Sequence, residues 1–273
     1  MTEQGLPLQV EVADRVATLT LNRPDARNAL NRALGSALWD AVAAAGADPD
    51  VDVVVLTGAD PAFCAGVDLK EVAASEGAAT AVIDQPGQRP GRDVNGLYRF
   101  IPVIDKPIVA AVNGVCVTGG LELALQCTLR VASDRARFGD THARIGIMPG
   151  GGITVLLAQA VGWARAVEMS LTGDFVDAET ALRWGLVNHV VPHEELIPFV
   201  RDRAAHIASN DREGVRRLLR HYRRMANAAT LDEAHLMEGY LAETWAAGTS
   251  HVAERFDDVA ARGRAQNTGA QSP

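Results

Sequence analysis

The clearest structural signal in the chain lies in residues 106–124, which read KPIVAAVNGVCVTGGLELA. The first half contains Ile108–Val112, a continuous apolar run typical of a strand that is buried on both faces. A glycine-rich turn follows, and the pattern then predicts a helix from Leu121 to about Cys127. The first N–H groups of a helix have no partner within it and lie at the positive end of its dipole, so this turn suits an anion or a developing oxyanion.

Glu122 stands in the first turn of this predicted helix. The helix dipole alone would favour a carboxylate there, so Glu122 is open to interpretation as an ordinary capping charge. The segment around it is apolar, however, and has no cation nearby in sequence. Burial in such surroundings raises the pKa of a carboxyl group and suits it to proton exchange near neutral pH.

Strand and helix patterns alternate along the first part of the chain. The stretch from Ala29 to Ala45 has apolar residues at helical spacing. This alternation predicts an α/β fold with much parallel pairing. The pattern becomes helical after Pro192, which suggests a core over residues 1–193, a helical region over 194–266 and a frayed tail over 267–273. The other strand patterns are Leu8–Val12, Val16–Leu21, Val53–Thr57 and Leu129–Ala132.

Composition excludes several classes of protein. The net charge of −8 provides no overall basic field for nucleic acid. A row of arginines between Arg212 and Arg224 is interpreted as a solvated or intersubunit helix face. No apolar run reaches the roughly 20 residues that a membrane helix needs, and residues 1–10 do not form a secretory signal, so we expect a cytoplasmic protein without a membrane partner. The three scattered cysteines predict neither a disulfide framework nor a metal site.

Two further segments have the composition of a site. Residues 63–70 read FCAGVDLK and follow a predicted strand, and Gly66 within them permits a backbone in which a peptide N–H points into a cleft. Residues 138–152 read FGDTHARIGIMPGGG, a glycine-rich loop that carries Asp140 and His142. Its three final glycines lack the Gly-Lys-Ser/Thr of a P-loop, and no Gly-x-Gly-x-x-Gly follows a strand, which argues against a nucleotide site.

In their order and spacing these segments resemble the enoyl-CoA hydratase/isomerase (crotonase) superfamily over nearly the whole chain. The motifs are Asn22-Arg-Pro with Asn28-Ala-Leu, Phe63–Leu69, Lys106-Pro through Glu122, Phe138-Gly, Pro149-Gly-x-Gly, Leu171-Thr-Gly-Asp-Phe and Trp184-Gly-Leu-Val. The resemblance implies a spiral of β-β-α units with a C-terminal helical region used in trimer assembly, and therefore a homotrimer or, where trimers pair, a homohexamer.

The resemblance also implies a site. The backbone N–H groups of Val67 and Gly119 would polarise a thioester carbonyl, and Glu122 falls where hydratases carry the first of two catalytic glutamates. The second glutamate is replaced by His142, and either His142 or Asp140 could substitute for it. Residues expected to contact coenzyme A are Arg27, Ala65, Val67, Asp68, Lys70, Arg262 and Arg264.

The expected activity is reversible hydration of trans-2-enoyl-CoA, with no metal or redox cofactor. Enoyl-CoA isomerisation, other enolate chemistry such as thioester hydrolysis or decarboxylation, and a non-catalytic acyl-CoA-binding role remain as alternatives. The stretch from Ala73 to Gly96 is expected to line the acyl tunnel as a mobile loop or a loosely packed helix. Acyl chain length, pathway and the choice between trimer and hexamer are left open.

Overall fold

The computed structural model describes residues 5–74, 99–226 and 230–244, with residues 255–256, 259–262 and 264. They fall into two compact units, one within Met1–Leu219 and the other within Arg220–Pro273. The predicted acyl-tunnel loop lies outside the described residues beyond Ala74, and so does the tail over 267–273.

The strands and helices are defined here in chain order. The strands are β1 (Leu8–Ala13), β2 (Val16–Leu21), β3 (Val53–Gly58), β4 (Ala62–Cys64), β5 (Ile108–Val112), β6 (Val115–Val117), β7 (Leu129–Ser133), β8 (Arg137–Gly139), β9 (Val176–Asp177) and β10 (His189–Val191). The helices are α1 (Arg32–Ala47), α2 (Leu69–Ala74), α3 (Gly119–Gln126), α4 (His142–Ile145), α5 (Ile153–Val161), α6 (Trp163–Thr172), α7 (Ala178–Trp184), α8 (Leu196–Ala208), α9 (Arg212–Met225) and α10 (Leu231–Glu243).

These strands form two separate sheets. The larger has the order β1-β2-β3-β5-β7-β10, and the smaller has the order β4-β6-β8-β9. Pairing is parallel except for the β1–β2 hairpin and the β8–β9 pair. A long strand in the larger sheet is followed by a short strand in the smaller sheet and then by a helix, three times in succession: β3-β4-α2, β5-β6-α3 and β7-β8-α4. The predicted α/β spiral of β-β-α units is therefore confirmed.

The central strands β3 and β5 of the larger sheet are buried on both faces, as their continuous apolar patterns predict, whereas the edge strand β1 is mostly exposed. In β3, Val54 and Leu56 belong to the main core, whereas Val53 and Val55 face a second apolar cluster. This alternation follows from the two-residue side-chain period of a strand. The second cluster is closed by residues of α8: Leu196, Val200 and Ala204.

Helix α1 begins three residues later than the apolar pattern predicts. The side chain of Asn31 accepts a hydrogen bond from the N–H of Leu34 at 2.9 Å and so caps the helix at Arg32. Leu30, just before the cap, instead forms a parallel bridge with Val67. This bridge brings the start of α1 to the segment that contains Gly66.

The other end of α1 is held by a buried lysine. The Lys106 ammonium donates hydrogen bonds to the carbonyl oxygens of Ala45 and Asp48, at 2.6 Å and 2.5 Å. These carbonyls belong to the last turn of α1, which lacks helical partners for them. Burial lowers the pKa of Lys106, and the nearby positive charge of Arg216 lowers it further.

The second unit contains the end of α9, helix α10 and short helical turns, in which Arg262 and Arg264 are exposed. Among the residues that the structure describes, no helix has both the length and the apolarity to cross a membrane.

Candidate active site

Two backbone turns meet at the start of α3. A methyl group placed on Gly119 would lie 3.3 Å from the Val67 nitrogen, and one on Gly66 would lie 3.2 Å from the Gly119 nitrogen. Gly66 adopts a φ of +94°, a conformation that favours glycine. Flanking hydrogen bonds, from Leu30 N–H to the Gly66 carbonyl and from Asp68 N–H to the Leu30 carbonyl, fix Val67 between them.

The N–H groups of Val67 and Gly119 have no hydrogen-bond acceptor among the described residues. Gly119 is the first residue of α3, where helical N–H groups lack internal partners and the dipole is positive. Two such donors side by side suit an oxygen that gains negative charge. The close approach depends also on Gly120, since a methyl group there would lie 2.1 Å from the Cys64 carbonyl oxygen.

Thr118, the residue before α3, has a left-handed backbone with φ of 54° and ψ of −117°. A side chain in this region costs on the order of 1–3 kcal/mol. The Thr118 hydroxyl lies 2.6 Å from the Thr141 hydroxyl and accepts a hydrogen bond from the Thr141 N–H at 3.1 Å. These contacts join the start of α3 to the turn that precedes His142.

The carboxyl group of Glu122 is buried, with 2% of the residue exposed. Its Oε1 accepts a hydrogen bond from the N–H of Ile153 at 3.2 Å, at the start of α5. Burial raises the pKa of Glu122; His142 and backbone N–H groups oppose this, and the overall direction is upward. Gly151 makes room for the group, because a methyl there would lie 2.8 Å from Glu122 Oε2.

His142 is held by Asp140, which is also buried. The Asp140 Oδ1 lies 2.6 Å from His142 Nδ1 and 3.2 Å from the His142 backbone nitrogen. A carboxylate only accepts, so Nδ1 carries the proton and donates it. The other ring nitrogen, Nε2, lies 4.0 Å from Glu122 Oε2.

The ionisation of this pair is coupled. Burial alone would lower the pKa of His142, but the hydrogen bond to Asp140 and the charges of Asp140 and Glu122 raise it overall. Burial alone would raise the pKa of Asp140, but its hydrogen bonds, chiefly to His142, lower it overall. The arrangement therefore holds an aspartate ionised behind a histidine that retains its proton to higher pH than an unperturbed one.

A cleft of about 720 Å³, its open mouth included, lies in front of these groups. Sequence reasoning named four of its lining residues, Ala65, Val67, Glu122 and His142. Most of the other lining residues lie in the three segments that the sequence singled out, although none was named individually for the cleft: Leu69, Thr118, Thr141, Ile145, Ile147, Met148, Gly150 and Gly151. Val72, Arg99 and Phe100 also line the cleft and lie outside these segments. Asp140 is not among the lining residues, so its contact with the cleft runs through His142.

The residues expected at coenzyme A divide into two groups. The Arg27 side chain is exposed, and its carbonyl accepts a hydrogen bond from Ala65 N–H at 3.0 Å, which places the two residues together. Lys70 is exposed on α2. The Asp68 carboxylate pairs with Arg23 at 3.0 Å and accepts a hydrogen bond from the backbone N–H of Lys70 at 3.1 Å, so it is engaged in local structure. The remaining two, Arg262 and Arg264, belong to the second unit.

Known proteins with similar sequences belong to one family. Residues 11–252 match the family described as enoyl-CoA hydratase/isomerase. A crotonyl-CoA hydratase of Syntrophomonas wolfei is 38% identical over 208 residues, which cover 76% of this chain and 77% of that protein. A 2,3-dehydroadipyl-CoA hydratase of Escherichia coli is 40% identical over 201 residues, which cover 74% of this chain and 75% of that protein.

Solved structures give the same result. An enoyl-CoA hydratase from Mycobacterium tuberculosis H37Rv is 46% identical, with a TM-score of 0.71 over 87% of this chain and 98% of that one. An enoyl-CoA hydratase from Bacillus anthracis is 29% identical, with a TM-score of 0.79 over 92% and 96%. By sequence and by fold, the chain belongs to the enoyl-CoA hydratase/isomerase family.

Proposed function

We propose that this protein is an enoyl-CoA hydratase, which adds water reversibly across the double bond conjugated to the thioester of a trans-2-enoyl-CoA. The observation that carries the proposal is the 4.0 Å approach of Glu122 and His142 across the cleft, beside the two N–H groups of Val67 and Gly119. A water between two proton-exchanging groups, next to an oxyanion site, is what hydration requires.

The thioester oxygen accepts hydrogen bonds from Val67 and Gly119. When hydroxide adds to the β-carbon, negative charge moves onto this oxygen and an enolate forms. Loss of one such donor in other enzymes costs about 3–4 kcal/mol, so the pair supplies much of the rate enhancement. Val67 donates through its backbone, which leaves its side chain free to shape the cleft.

Two proton transfers complete the addition. The Glu122 carboxylate takes a proton from water while the water oxygen bonds to the β-carbon. The His142 imidazolium donates its Nε2 proton to the α-carbon, which converts the enolate back to a thioester. Transfer of the proton from Glu122 to His142 restores both groups, so the net reaction consumes one water.

Between the two substitutes for the second glutamate, the geometry favours His142. His142 lines the cleft, whereas Asp140 lies behind it and bonds to Nδ1. Asp140 is therefore proposed as a positioning residue, which fixes the tautomer of His142 and stabilises its protonated form.

Binding and assembly complete the proposal. Coenzyme A is proposed to bind beside Arg27 and Ala65, with the exposed Lys70 close in sequence to this segment. Arg262 and Arg264 of the second unit stay candidate phosphate contacts, to be tested by substitution. The engaged carboxylate of Asp68 supports a role in holding the Val67 turn. The helical region over 194–266 is proposed to assemble trimers or hexamers, and the reaction needs no metal or redox cofactor.

The test measures hydration of a short and a long trans-2-enoyl-CoA by the purified protein. The loss of absorbance of the conjugated thioester reports the reaction. Glu122→Gln should abolish turnover and His142→Ala should weaken it, by roughly 10²–10⁴-fold for a general acid or base. Glu179→Gln, at an exposed glutamate on α7, and His206→Ala, at a half-buried histidine on α8 outside the cleft, serve as matched controls.

Product analysis separates the alternatives. A shifted double bond without a hydroxyl group would indicate isomerisation, and free coenzyme A would indicate hydrolysis. Tight acyl-CoA binding without turnover at either chain length would contradict the hydratase proposal and favour a carrier.

A further inference from the structure

We propose that Gln126 is a positioning residue, which holds the backbone turn that contacts the Glu122 carboxyl group. The inference rests on the proposed function, since it takes Glu122 as the group that exchanges protons with the substrate. Gln126 is half-buried at the end of α3 and is not among the described residues that line the cleft, whereas Glu122, Phe100 and Gly151 are. It therefore acts on the reaction through these neighbours and not by touching the substrate.

The Gln126 amide bridges two distant segments of backbone. Its Nε2 donates a hydrogen bond to the carbonyl of Gly151 at 2.9 Å, and its Oε1 accepts one from the N–H of Phe100 at 2.9 Å. One partner is an acceptor and the other is a donor, so a single orientation of the amide satisfies both. The bridge therefore fixes Gly151 and Phe100 relative to α3.

The turn that Gln126 holds is also the turn that contacts Glu122. Glu122 Oε1 accepts a hydrogen bond from the N–H of Ile153 at 3.2 Å, and a methyl on Gly151 would lie 2.8 Å from Glu122 Oε2. Gln126 follows Glu122 by four residues on α3, and side chains at this spacing lie on the same face of a helix. Two neighbouring side chains of α3 thus hold one turn, the amide through a carbonyl and the carboxyl group through an N–H.

The turn needs this fixed point because it is rich in glycine. Residues 150–152 are three consecutive glycines, and Gly152 has a left-handed backbone with a φ of 105°. Glycine reaches more backbone conformations than other residues, so a run of three has many alternatives to the conformation that presents an N–H to the cleft. The hydrogen bond from Gln126 restricts the turn to the conformation in which the N–H of Ile153 meets Glu122.

Loss of this bridge has a defined effect on the ionisation of Glu122. Burial raises the pKa of Glu122, and the charge of His142 and the N–H groups of the turn oppose this rise, whereas the charge of Asp140 adds to it. Arg99 lines the same cleft. Weaker contact with the turn leaves burial less opposed, so the pKa of Glu122 should rise further above its ordinary value.

The experiment replaces Gln126 by methionine, which keeps the length of the side chain and removes the amide. Gln126→Met should lower kcat for hydration by about 10- to 100-fold, the effect of a small misplacement of a reacting group, with a smaller change in KM. The acid limb of the kcat profile should move to higher pH by about half a unit or more, because the active carboxylate gains its proton sooner as pH falls. The alkaline limb, which His142 sets, should stay in place.

Two controls separate the position of Glu122 from the stability of the fold. Thr128→Val, just beyond α3, removes the hydroxyl that accepts a hydrogen bond from the N–H of Ile108 at 3.1 Å, and should lower the thermal midpoint without moving the acid limb. Gln159→Met, at an exposed glutamine on α5, should change neither. Gln126→Asn shortens the side chain by one methylene and cannot keep both contacts, so it should act in the same direction and serves if Gln126→Met does not fold.

A readout without turnover is the carboxyl carbon of Glu122, titrated by NMR in protein with carbon-13 in its glutamate side chains and assigned by its absence in Glu122→Gln. A higher pKa for this signal in Gln126→Met supports the inference even if no enoyl-CoA is hydrated, in which case the proposed function alone is overturned. An unmoved signal and an unmoved acid limb, with a fall in kcat no larger than that of Thr128→Val, would assign Gln126 to the scaffold and overturn the inference. A change in KM alone would also overturn it, since the effect would then lie at Phe100.

Discussion

Replacing Asp140 by asparagine removes the negative charge behind His142 and keeps the side chain nearly the same size. The wild-type carboxylate accepts the Nδ1 proton at 2.6 Å in a site where both residues are buried. A hydrogen bond to a charged partner contributes about 1.5–3 kcal/mol, against about 1 kcal/mol for a neutral pair. Asp140→Asn should therefore destabilise the protonated form of His142, relative to the neutral form, by roughly 1–2 kcal/mol. A difference of about 1.4 kcal/mol corresponds to a fall of about one unit in the pKa of His142.

The assay is kcat against pH, with Asp174→Asn as a control because that carboxylate is exposed. The folded protein raises the pKa of His142, so the active imidazolium persists to higher pH and the rate falls when it loses its proton. Asp140→Asn should move this alkaline limb to lower pH by about one unit. A uniform fall in kcat with an unmoved limb would refute the coupling and leave Asp140 with a structural role.

The raised pKa of His142 also makes the stability of the fold depend on pH, and stability falls with rising pH as the rate does. A raised folded-state pKa means that protonation of His142 contributes stability that is fully present below its unfolded pKa and is lost as pH rises through its folded pKa. Urea unfolding midpoints across that range should fall with pH in the wild type. In Asp140→Asn the urea midpoint should fall less steeply with pH. An equal dependence on pH in the variant and the wild type would count against the Asp140–His142 ion pair.

Three further changes have defined outcomes. Gly151→Ala should lower kcat by at least tenfold, because its methyl would lie 2.8 Å from Glu122 Oε2; an unchanged kcat would show that the carboxyl group can move aside. Gly35→Ala adds a methyl inside α1 with nothing within 4 Å, so thermal unfolding should show a gain of up to about 1 kcal/mol and an unchanged kcat. Lys106→Met leaves the carbonyls at the end of α1 without their donor and should cost about 1–3 kcal/mol by urea titration; a loss below 0.5 kcal/mol, roughly a surface substitution, would contradict its capping role.

The long elements follow from the sequence because their signals are local. Val16–Leu21 and Ile108–Val112 are strands at the predicted bounds. The first is rich in β-branched residues, and the second is a continuous apolar run, which suits a strand buried on both faces. The strands of the smaller sheet, such as Val115–Val117, are two or three residues long, too short to show any periodicity. Their existence depends on pairing between distant segments, which single-sequence patterns do not contain.

Some features of the candidate site also follow from local sequence, and others do not. The start of α3 and the burial of Glu122 follow from a strand, a glycine turn and an apolar helix that are contiguous in sequence. The division of labour between Asp140 and His142 does not, because a spacing of two residues leaves open which side chain enters the cleft. The contacts among Phe100, Gln126 and Gly151 join segments 25 or more residues apart, and the folded chain alone brings them together.

Helix α3 carries three tasks on eight residues: the Gly119 N–H at its start, the Glu122 carboxyl group in its first turn and the Gln126 amide at its end. The geometry of a single helix sets the distances among these groups, because all three are attached to the same hydrogen-bonded backbone. A displacement of the surrounding loops would therefore leave the Gly119 donor and the Glu122 carboxyl group at the same separation. The distance that can vary is the one between two different helices, α3 and α4, and it sets the 4.0 Å separation of Glu122 Oε2 and His142 Nε2.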